Sequence, residues 1–303
     1  MVMPAPSYVV IGEDTNASPA LAFHQHQNWK QVSDWQSADV AILNLPTRQQ
    51  SGEARKLLEA GKHIVCPAPL AITFAETEGL LKLASETEAK LITCLPLRHT
   101  PEAMALKALA TPKTIGHAFH AYTRWTSRNH LPNLQPWKTQ ASEAGGGVLM
   151  DQGIHRIDLA WWLMGCPTME SASAVRYSHF IKQPDIEDFA GGLIRFEGGA
   201  SILFESSWVS CQGIVENRAT RVMGERGTLV HRDLKGQSGY HAFYVREEEG
   251  EMIEQRLPIE NIAASDFATA TWQLLTEGKD TIGIADYERI SALHGIIEAL
   301  YKG

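Results

Sequence analysis

The chain has 303 residues, 44% of them hydrophobic and 20% charged, with a formal net charge of −8. That balance excludes a disordered chain and gives enough length for two domains of ordinary size. The acidic surplus, with no run of Lys and Arg to offset it, points away from nucleic acid as a partner. No stretch approaches ~18 consecutive apolar residues, so no membrane span is expected. The opening MVMPAPSYVV lacks the basic and apolar regions of a secretory signal. Cys66, Cys94, Cys166 and Cys211 are scattered without a C-x-x-C, which fits reduced, packed thiols and a cytoplasmic location.

Taken in order, Tyr8-Val-Val-Ile-Gly12 is a short β-branched run ending in glycine, like the first strand of a dinucleotide fold. In such a fold G-x-G-x-x-G follows, its glycines letting the backbone approach a pyrophosphate at a helix N-terminus. Here the segment reads Gly12-Glu-Asp-Thr-Asn-Ala17: the first glycine is present, Ala17 is acceptable at the third, and Asp14 stands at the second beside Glu13. At ~4 Å a carboxylate facing a phosphate costs several kcal/mol at an effective dielectric of about 20, unless it points away or caps the helix. The next clear strand is 38–45, ending at Pro46, which leaves only residues 13–37 where a complete βαβ unit takes about 30 residues. The sheet is therefore expected to be shortened after its first strand. Asp34 lies at about the right distance for a ribose contact, but its neighbours read as a capped helical turn rather than a strand end.

Beyond Pro46 the pattern predicts a helix over 54–60, a strand over 61–66, a helix over 73–87 and a strand over 90–95. Such alternation is the mark of a parallel sheet with crossover helices. Pro96-Leu-Arg98-His-Thr-Pro101 leads into a further helix, and Thr114-Ile-Gly116 turns into a strand over 117–125. Alternation puts His117, Phe119, Ala121, Thr123 and Trp125 on one face of that strand, and His120, Tyr122 and Arg124 on the other. A polar loop follows, and Pro136-Trp137-Lys138 precedes a run of glycines.

Residues 145–165 read GGGVLMDQGIHRIDLAWWLMG. Asp151 is expected to open a helix that stops at Gly165. On a 3.6-residue period Asp151, His155, Asp158 and Trp162 form one stripe, with no Arg or Lys in that row to neutralise it. Met150, Ile154, Ile157, Trp161 and Met164 form the core face beside it. Alone, an Asp-x-x-x-His pair on a helix is more often solvated or structural than functional. The run as a whole, GGG-x-L-x-D-x-G-x-H-x-x-D, resembles the signature of the glucose–fructose oxidoreductase, inositol dehydrogenase and MocA (Gfo/Idh/MocA) family.

The resemblance is sparse at 13–37, dense from 38 to 225, and covers nearly the whole chain. It implies nicotinamide-dependent oxidation of a sugar, polyol or related small alcohol, with NAD or NADP as cofactor. His155 would be the base, oriented by Asp151. Gly12, Leu45, Pro46, Pro69 and Arg98 would stand on the cofactor side, with a buried salt-bridge role equally open for Arg98. Arg124, Trp125, Trp137 and Lys138 would contact substrate, since aromatics with a few cationic donors suit a polyol, a sugar or a carboxylated ligand; packing alone is the other role open to the tryptophans. The sequence departs from the family where a strand should run into E-K-P: it reads Cys66-Pro67-Ala68-Pro69-Leu70. Ala68 replaces the lysine that assists proton transfer and has no ionisable group to offer.

After Gly165 the chain is strand-rich, with runs over 169–180, 188–196, 200–209, 218–224, 227–231 and 240–246, and Glu247–Glu251 reads as a solvated hairpin tip. Two helical patterns, 264–277 and 285–301, close it. The expected architecture is an N-terminal Rossmann-like α/β domain over 1–115 and an α+β domain over 116–303. The latter is expected to be an open, mostly antiparallel sheet with helices on one face, whose free face packs in a homodimer or homotetramer. No metal is expected, although Asp151 and His155 with His120 or His231 could supply ligands. Three functions remain open: an oxidoreductase with a weakened cofactor site, a non-catalytic relative that binds a small molecule or a partner, and a non-redox lyase or hydrolase using Asp151 and His155.

Overall fold

The computed structural model describes residues 6–12, 23, 29–127, 134–183, 185–210, 216–234, 236–259, 267–280 and 283–303. The chain divides into two compact units, one made of 1–95, 142–145 and 265–294, the other of 96–141, 146–264 and 295–303. The expected boundary at 115 lies inside the 96–141 part of the second unit. The longer helices among the described residues are α1 (Thr47–Glu59), α2 (Phe74–Ser85), α3 (Pro101–Leu109), α4 (Ile154–Leu163), α5 (Phe267–Glu277) and α6 (Tyr287–Lys302).

The first unit holds a five-stranded sheet of β1 (Ser7–Gly12), β2 (Lys30–Gln31), β3 (Val40–Asn44), β4 (His63–Pro67) and β5 (Leu91–Cys94). Its order is β2-β1-β3-β4-β5 and every pair is parallel. A parallel sheet is covered on both faces, which accounts for the near-continuous apolar strands Val-Ala-Ile-Leu and Ile-Val-Cys. Leu43, Ile64, Leu70, Leu80 and Leu91 are completely enclosed in its core. As expected, the sheet is short after β1: β2 spans two residues. In place of a longer sheet the unit packs rings, with Phe23 4.7 Å from Trp29 and 6.1 Å from Phe267, and Trp29 5.9 Å from Trp272. Helix α2 is N-capped by Thr73, whose hydroxyl accepts from the Glu76 backbone N–H at 3.2 Å.

The second unit carries an eight-stranded sheet of β6 (Ala118–Ser127), β7 (Met169–Tyr177), β8 (Phe189–Phe196), β9 (Ser201–Ser207), β10 (Glu216–Gly224), β11 (Thr228–Asp233), β12 (Tyr240–Glu248) and β13 (Glu251–Arg256). The order is β13-β12-β11-β10-β6-β9-β8-β7, antiparallel except for the β6–β9 pair. One face is apolar and buried, through Ala121, Ile194, Ile202, Phe204 and Val222. Helix α4 lies on that face, where the Thr123 hydroxyl donates to the Arg156 carbonyl at 3.3 Å. The strand 118–127 alternates as expected, so Tyr122 and Arg124 occupy the opposite face. The β12–β13 hairpin closes through Glu249 and Gly250, both at positive φ, which gives the twist a two-residue turn needs.

Candidate functional site

The three glycines before α4 are each held by a different neighbour. Gly145 sits at φ +81, and an added Cβ would lie 2.8 Å from Ile72 Cγ2. At Gly146 the added carbon would strike the Tyr301 hydroxyl, and at Gly147 the backbone of Glu187. Glu187 is 5% exposed, yet every oxygen has donors: Gly147 N–H at 3.0 Å, Leu149 N–H at 2.9 Å and Tyr301 O–H at 2.8 Å. Burial pushes its carboxyl above the ordinary range, against the pull of those donors. No sequence signal marked Glu187 or Tyr301, because their role appears only once residues distant in sequence meet.

The glycines open onto a π-helical turn, Leu149–Gly153, and only then onto the regular helix α4. Asp151 therefore lies in a widened turn rather than at the start of an α-helix, a local irregularity often found at functional positions. Its Oδ1 lies 2.5 Å from Lys138 Nζ and its Oδ2 accepts from the Trp208 indole at 3.1 Å. Both oxygens are thus engaged, and no hydrogen bond joins Asp151 to His155 among the described residues. His155 is half-buried, with Nδ1 enclosed and without a hydrogen-bond partner among the described residues. Burial holds its imidazole below the ordinary pKa of 6.5, against Asp151 and Asp158, which favour the charged form.

The row itself holds no Arg or Lys, and its cations come from other segments. Lys138 reaches Asp151 from the loop before the glycines, and Arg98 grips Asp158 with two hydrogen bonds, one of them at 2.8 Å from Nε. Arg98 and Asp158 are 2% and 1% exposed, so Arg98 takes the buried ion-pair role. A stripe drawn from one helix cannot see cations delivered by other segments. Trp162 is 4% exposed and covered by the Lys107 ammonium, 4.8 Å from the ring centre.

The substrate-side candidates separate. Lys138 and Trp137 share a short 3-10 turn, with the Lys138 ammonium 5.6 Å from the indole and the indole N–H donating to Gln135 at 2.8 Å. Trp125 points toward α4 and stacks under the Arg156 guanidinium at 5.6 Å. Arg124, one residue earlier, is on the opposite face of β6, apart from Asp151, His155 and Lys138. Among the described residues no group of three or more His, Cys, Asp and Glu could hold a metal ion. His120 bonds Ser201 at 2.9 Å, and His231 meets Arg156 at 3.2 Å.

In the first unit the candidates gather at the carboxyl ends of the strands. Chain order reverses beside β1, whose neighbours are β2 and β3, and ligands of parallel α/β sheets bind at such a point. Gly12 ends β1 at φ +111, pressed so closely on Asn44 and Leu45 that a Cβ would be only 2.9 Å from Leu45 Cδ2. A backbone held open there fits the first glycine of a nucleotide turn. Leu45 and Pro46 join β3 to α1, and Pro69 follows β4. The 67–70 segment is shaped by two residues that sequence reasoning missed: Gln50 donates to the Pro67 and Pro69 carbonyls at 3.0 and 3.1 Å, and His294 Nε2 accepts the Leu70 N–H at 3.1 Å. Ala68 is buried and brings only a methyl group. Asp34 does not sit in a helical turn; it folds a local turn, accepting from the Ser37 N–H at 3.0 Å and hydroxyl at 2.7 Å, and these bonds hold its carboxyl below the ordinary range. Glu13 and Asp14, on which the expected weakness of the phosphate loop rests, lie outside the described residues.

Known proteins match this arrangement along the chain. Residues 10–94 match the family described as "Oxidoreductase family, NAD-binding Rossmann fold", and 103–230 match "GFO/IDH/MocA C-terminal domain". The chain is 27% identical over 245 residues to 1,5-anhydro-D-fructose reductase of Ensifer adhaerens, covering 79% of this chain and 68% of that one. It is 26% identical over 282 residues to levoglucosan dehydrogenase of Pseudarthrobacter phenanthrenivorans, covering 88% and 70%. A solved NAD-binding oxidoreductase from Klebsiella pneumoniae shares the fold, with a TM-score of 0.83 at 17% identity over 99% of this chain and 96% of that one.

Proposed function

The chain belongs to the Gfo/Idh/MocA oxidoreductase family, and from that premise we propose that it is an NAD(P)-dependent oxidoreductase acting on a sugar, a polyol or a related small alcohol. The observation that carries this reading is the group formed by Asp151, Lys138, Trp208 and His155 behind the glycine run. His155, kept neutral by burial, takes the substrate hydroxyl proton on Nε2, the ring nitrogen left to meet a substrate once Nδ1 is enclosed. Lys138 and Asp151 hold each other in place beside it, and Trp137 offers the flat apolar face that sugars pack against. Gly12, Leu45, Pro46 and Pro69 would hold the nucleotide. The bound nicotinamide would supply the acceptor for the hydride that leaves the alcohol carbon.

The grip on that nucleotide is proposed to be weak. Ala68 has no ionisable group, and the carboxylate of Asp34 is already committed to Ser37. Those same two observations favour the second reading, a relative that binds a small molecule without turning it over. The two relatives named above carry sugar substrates in their names, and a sugar or polyol is accordingly the first class to test. Val175, Tyr177, Leu193 and Leu203 are exposed on the second unit's sheet, and we propose that they pack a homodimer or homotetramer.

The test is direct. NAD(H) and NADP(H) are titrated by nicotinamide fluorescence and thermal shift, and a panel of sugars and polyols is then followed by nicotinamide absorbance. Binding with turnover supports the oxidoreductase; binding of sugar without nucleotide supports the second reading. Absence of nucleotide binding below millimolar ends the first.

A further inference from the structure

Three consecutive backbone amides at the entry to the π-helical turn all donate to one residue, Glu187, on the connection between β7 and β8. Gly147 N–H meets its Oε2 at 3.0 Å, Val148 N–H its backbone carbonyl at 2.9 Å and Leu149 N–H its Oε1 at 2.9 Å. Amides that open a helix have no partner within it, and a carboxylate set against them is favoured by hydrogen bonding and by the helix dipole together. An ionised carboxylate only accepts, so both oxygens serve these donors without presenting a hydrogen. The Tyr301 hydroxyl, donating to Oε1 at 2.8 Å, gives the side chain its third donor.

These amides are the fixed end of the turn that carries the chemistry. The Asp151 N–H returns to the Gly147 carbonyl at 3.1 Å, and the Ile154 N–H reaches the Leu149 carbonyl five residues back, the bond that makes the turn wide. Leu149 is thereby held on both sides, its N–H by Glu187 and its carbonyl by Ile154. His155 comes directly after Ile154, so its place is set by a winding that begins on the Glu187 oxygens. Asp188 adds a second route. Its carbonyl accepts the Trp208 N–H at 3.0 Å, and the Trp208 indole donates to Asp151 Oδ2 at 3.1 Å. Two adjacent residues therefore hold Asp151 through its backbone and through its side chain.

We propose that Glu187 is the positioning residue of this site: by gripping the Gly147, Val148 and Leu149 amides it holds the turn in the winding that sets the His155 ring beside Asp151 and Lys138. Its value for catalysis rests on the reading of His155 as the proton acceptor. Glu187 touches no reacting atom and acts only through the backbone. That is enough to matter, because a misplacement of about 1 Å at a reacting group costs on the order of 10²-fold in rate.

The experiment uses the intact protein. Glu187→Gln keeps the shape of the side chain but sets an NH2 group against the amide hydrogen of Gly147 or Leu149. The charged groups acting on the His155 ring are Asp151, Asp158, Lys138 and Arg156. Deleting one more negative charge would by itself lower the ring's titration midpoint, whereas a loosened turn that admits water raises it towards 6.5. A rise is expected, read by histidine-ring NMR without nucleotide or substrate. Ile202→Val, in the buried face of the sheet, should lower Tm and leave the midpoint in place. An unmoved or lowered midpoint in Glu187→Gln overturns the proposal. In turnover, kcat of Glu187→Gln should fall by about 10- to 10²-fold at unchanged nucleotide affinity; an equal fall in Ile202→Val would mark general destabilisation and overturn it too. If Glu187→Gln fails to fold, Tyr301→Phe, which keeps the charge and removes one donor, decides by the same sign. The NMR readout needs no activity, so a failure to bind nucleotide would end the oxidoreductase reading while the hold of Glu187 on His155 is judged separately.

Discussion

The ammonium of Lys138 lies 2.5 Å from Oδ1 of Asp151, so the carboxylate expected to orient His155 is instead bound to a lysine from the preceding loop. Lys138 thereby restrains the imidazole electrostatically while Asp151 and Asp158 oppose it. In the wild type the His155 ring should titrate below 6.5, its ordinary value. Lys138→Met removes a positive neighbour and frees Asp151, so the midpoint should rise. Histidine-ring NMR across a pH series reads both, and an unmoved midpoint would discard the link. The sign for stability follows: a depressed histidine pKa contributes stability that is complete above 6.5 and drains away as the pH falls below it.

Replacing His155 with Asn should lower kcat by about 10²–10⁴, the usual contribution of a positioned base, while nucleotide affinity stays unchanged. Steady-state rates with the best substrate from the panel, set beside nucleotide titration, separate the two effects. A rate that survives the change would move the base elsewhere.

Arg98 and Asp158 form a buried pair. Removing one partner alone, as in Arg98→Met or Asp158→Asn, should destabilise by about 3–5 kcal/mol, because the other charge stays behind without compensation. The double change Arg98→Met with Asp158→Leu should be milder than the sum of its parts. Chemical denaturation of the three variants measures the coupling, and strict additivity would contradict it.

Gly146→Ala should displace the Tyr301 ring and break its bond to Glu187. Tyr301→Phe alone should lose about 1.5–3 kcal/mol, the range for a hydrogen bond to a charged group. In combination the two changes should cost less than their sum, since the phenylalanine no longer has the oxygen that the new methyl strikes. A double-mutant cycle by thermal unfolding tests this.

Much of the fold was legible because period and punctuation are local properties. Val40–Asn44, His63–Pro67 and the strands from Met169 onward each carry their own apolar pattern and turn residues, and the shortness of segment 13–37 alone predicted a stunted β2. The site was legible in its outline, since the glycine run and the His155 helix are contiguous in sequence. Its electrostatics were not. Arg98 reaches Asp158 across sixty positions and Trp208 reaches Asp151 across fifty-seven, and no helical wheel contains such partners. The π-helical turn was hidden for another reason: Leu149–Gly153 has the composition of an ordinary first turn, so nothing local announces the wider winding.

The glycine run has a consequence for how this chain can vary. Its three positions answer to three separate obstacles, Ile72, Tyr301 and the Glu187 backbone, none of them nearby in sequence. A side chain can be admitted at any one of them only if the matching obstacle retreats in the same lineage. Related sequences that lose the middle glycine should therefore also have lost the phenol at the position of Tyr301, a paired substitution that can be sought without any structure.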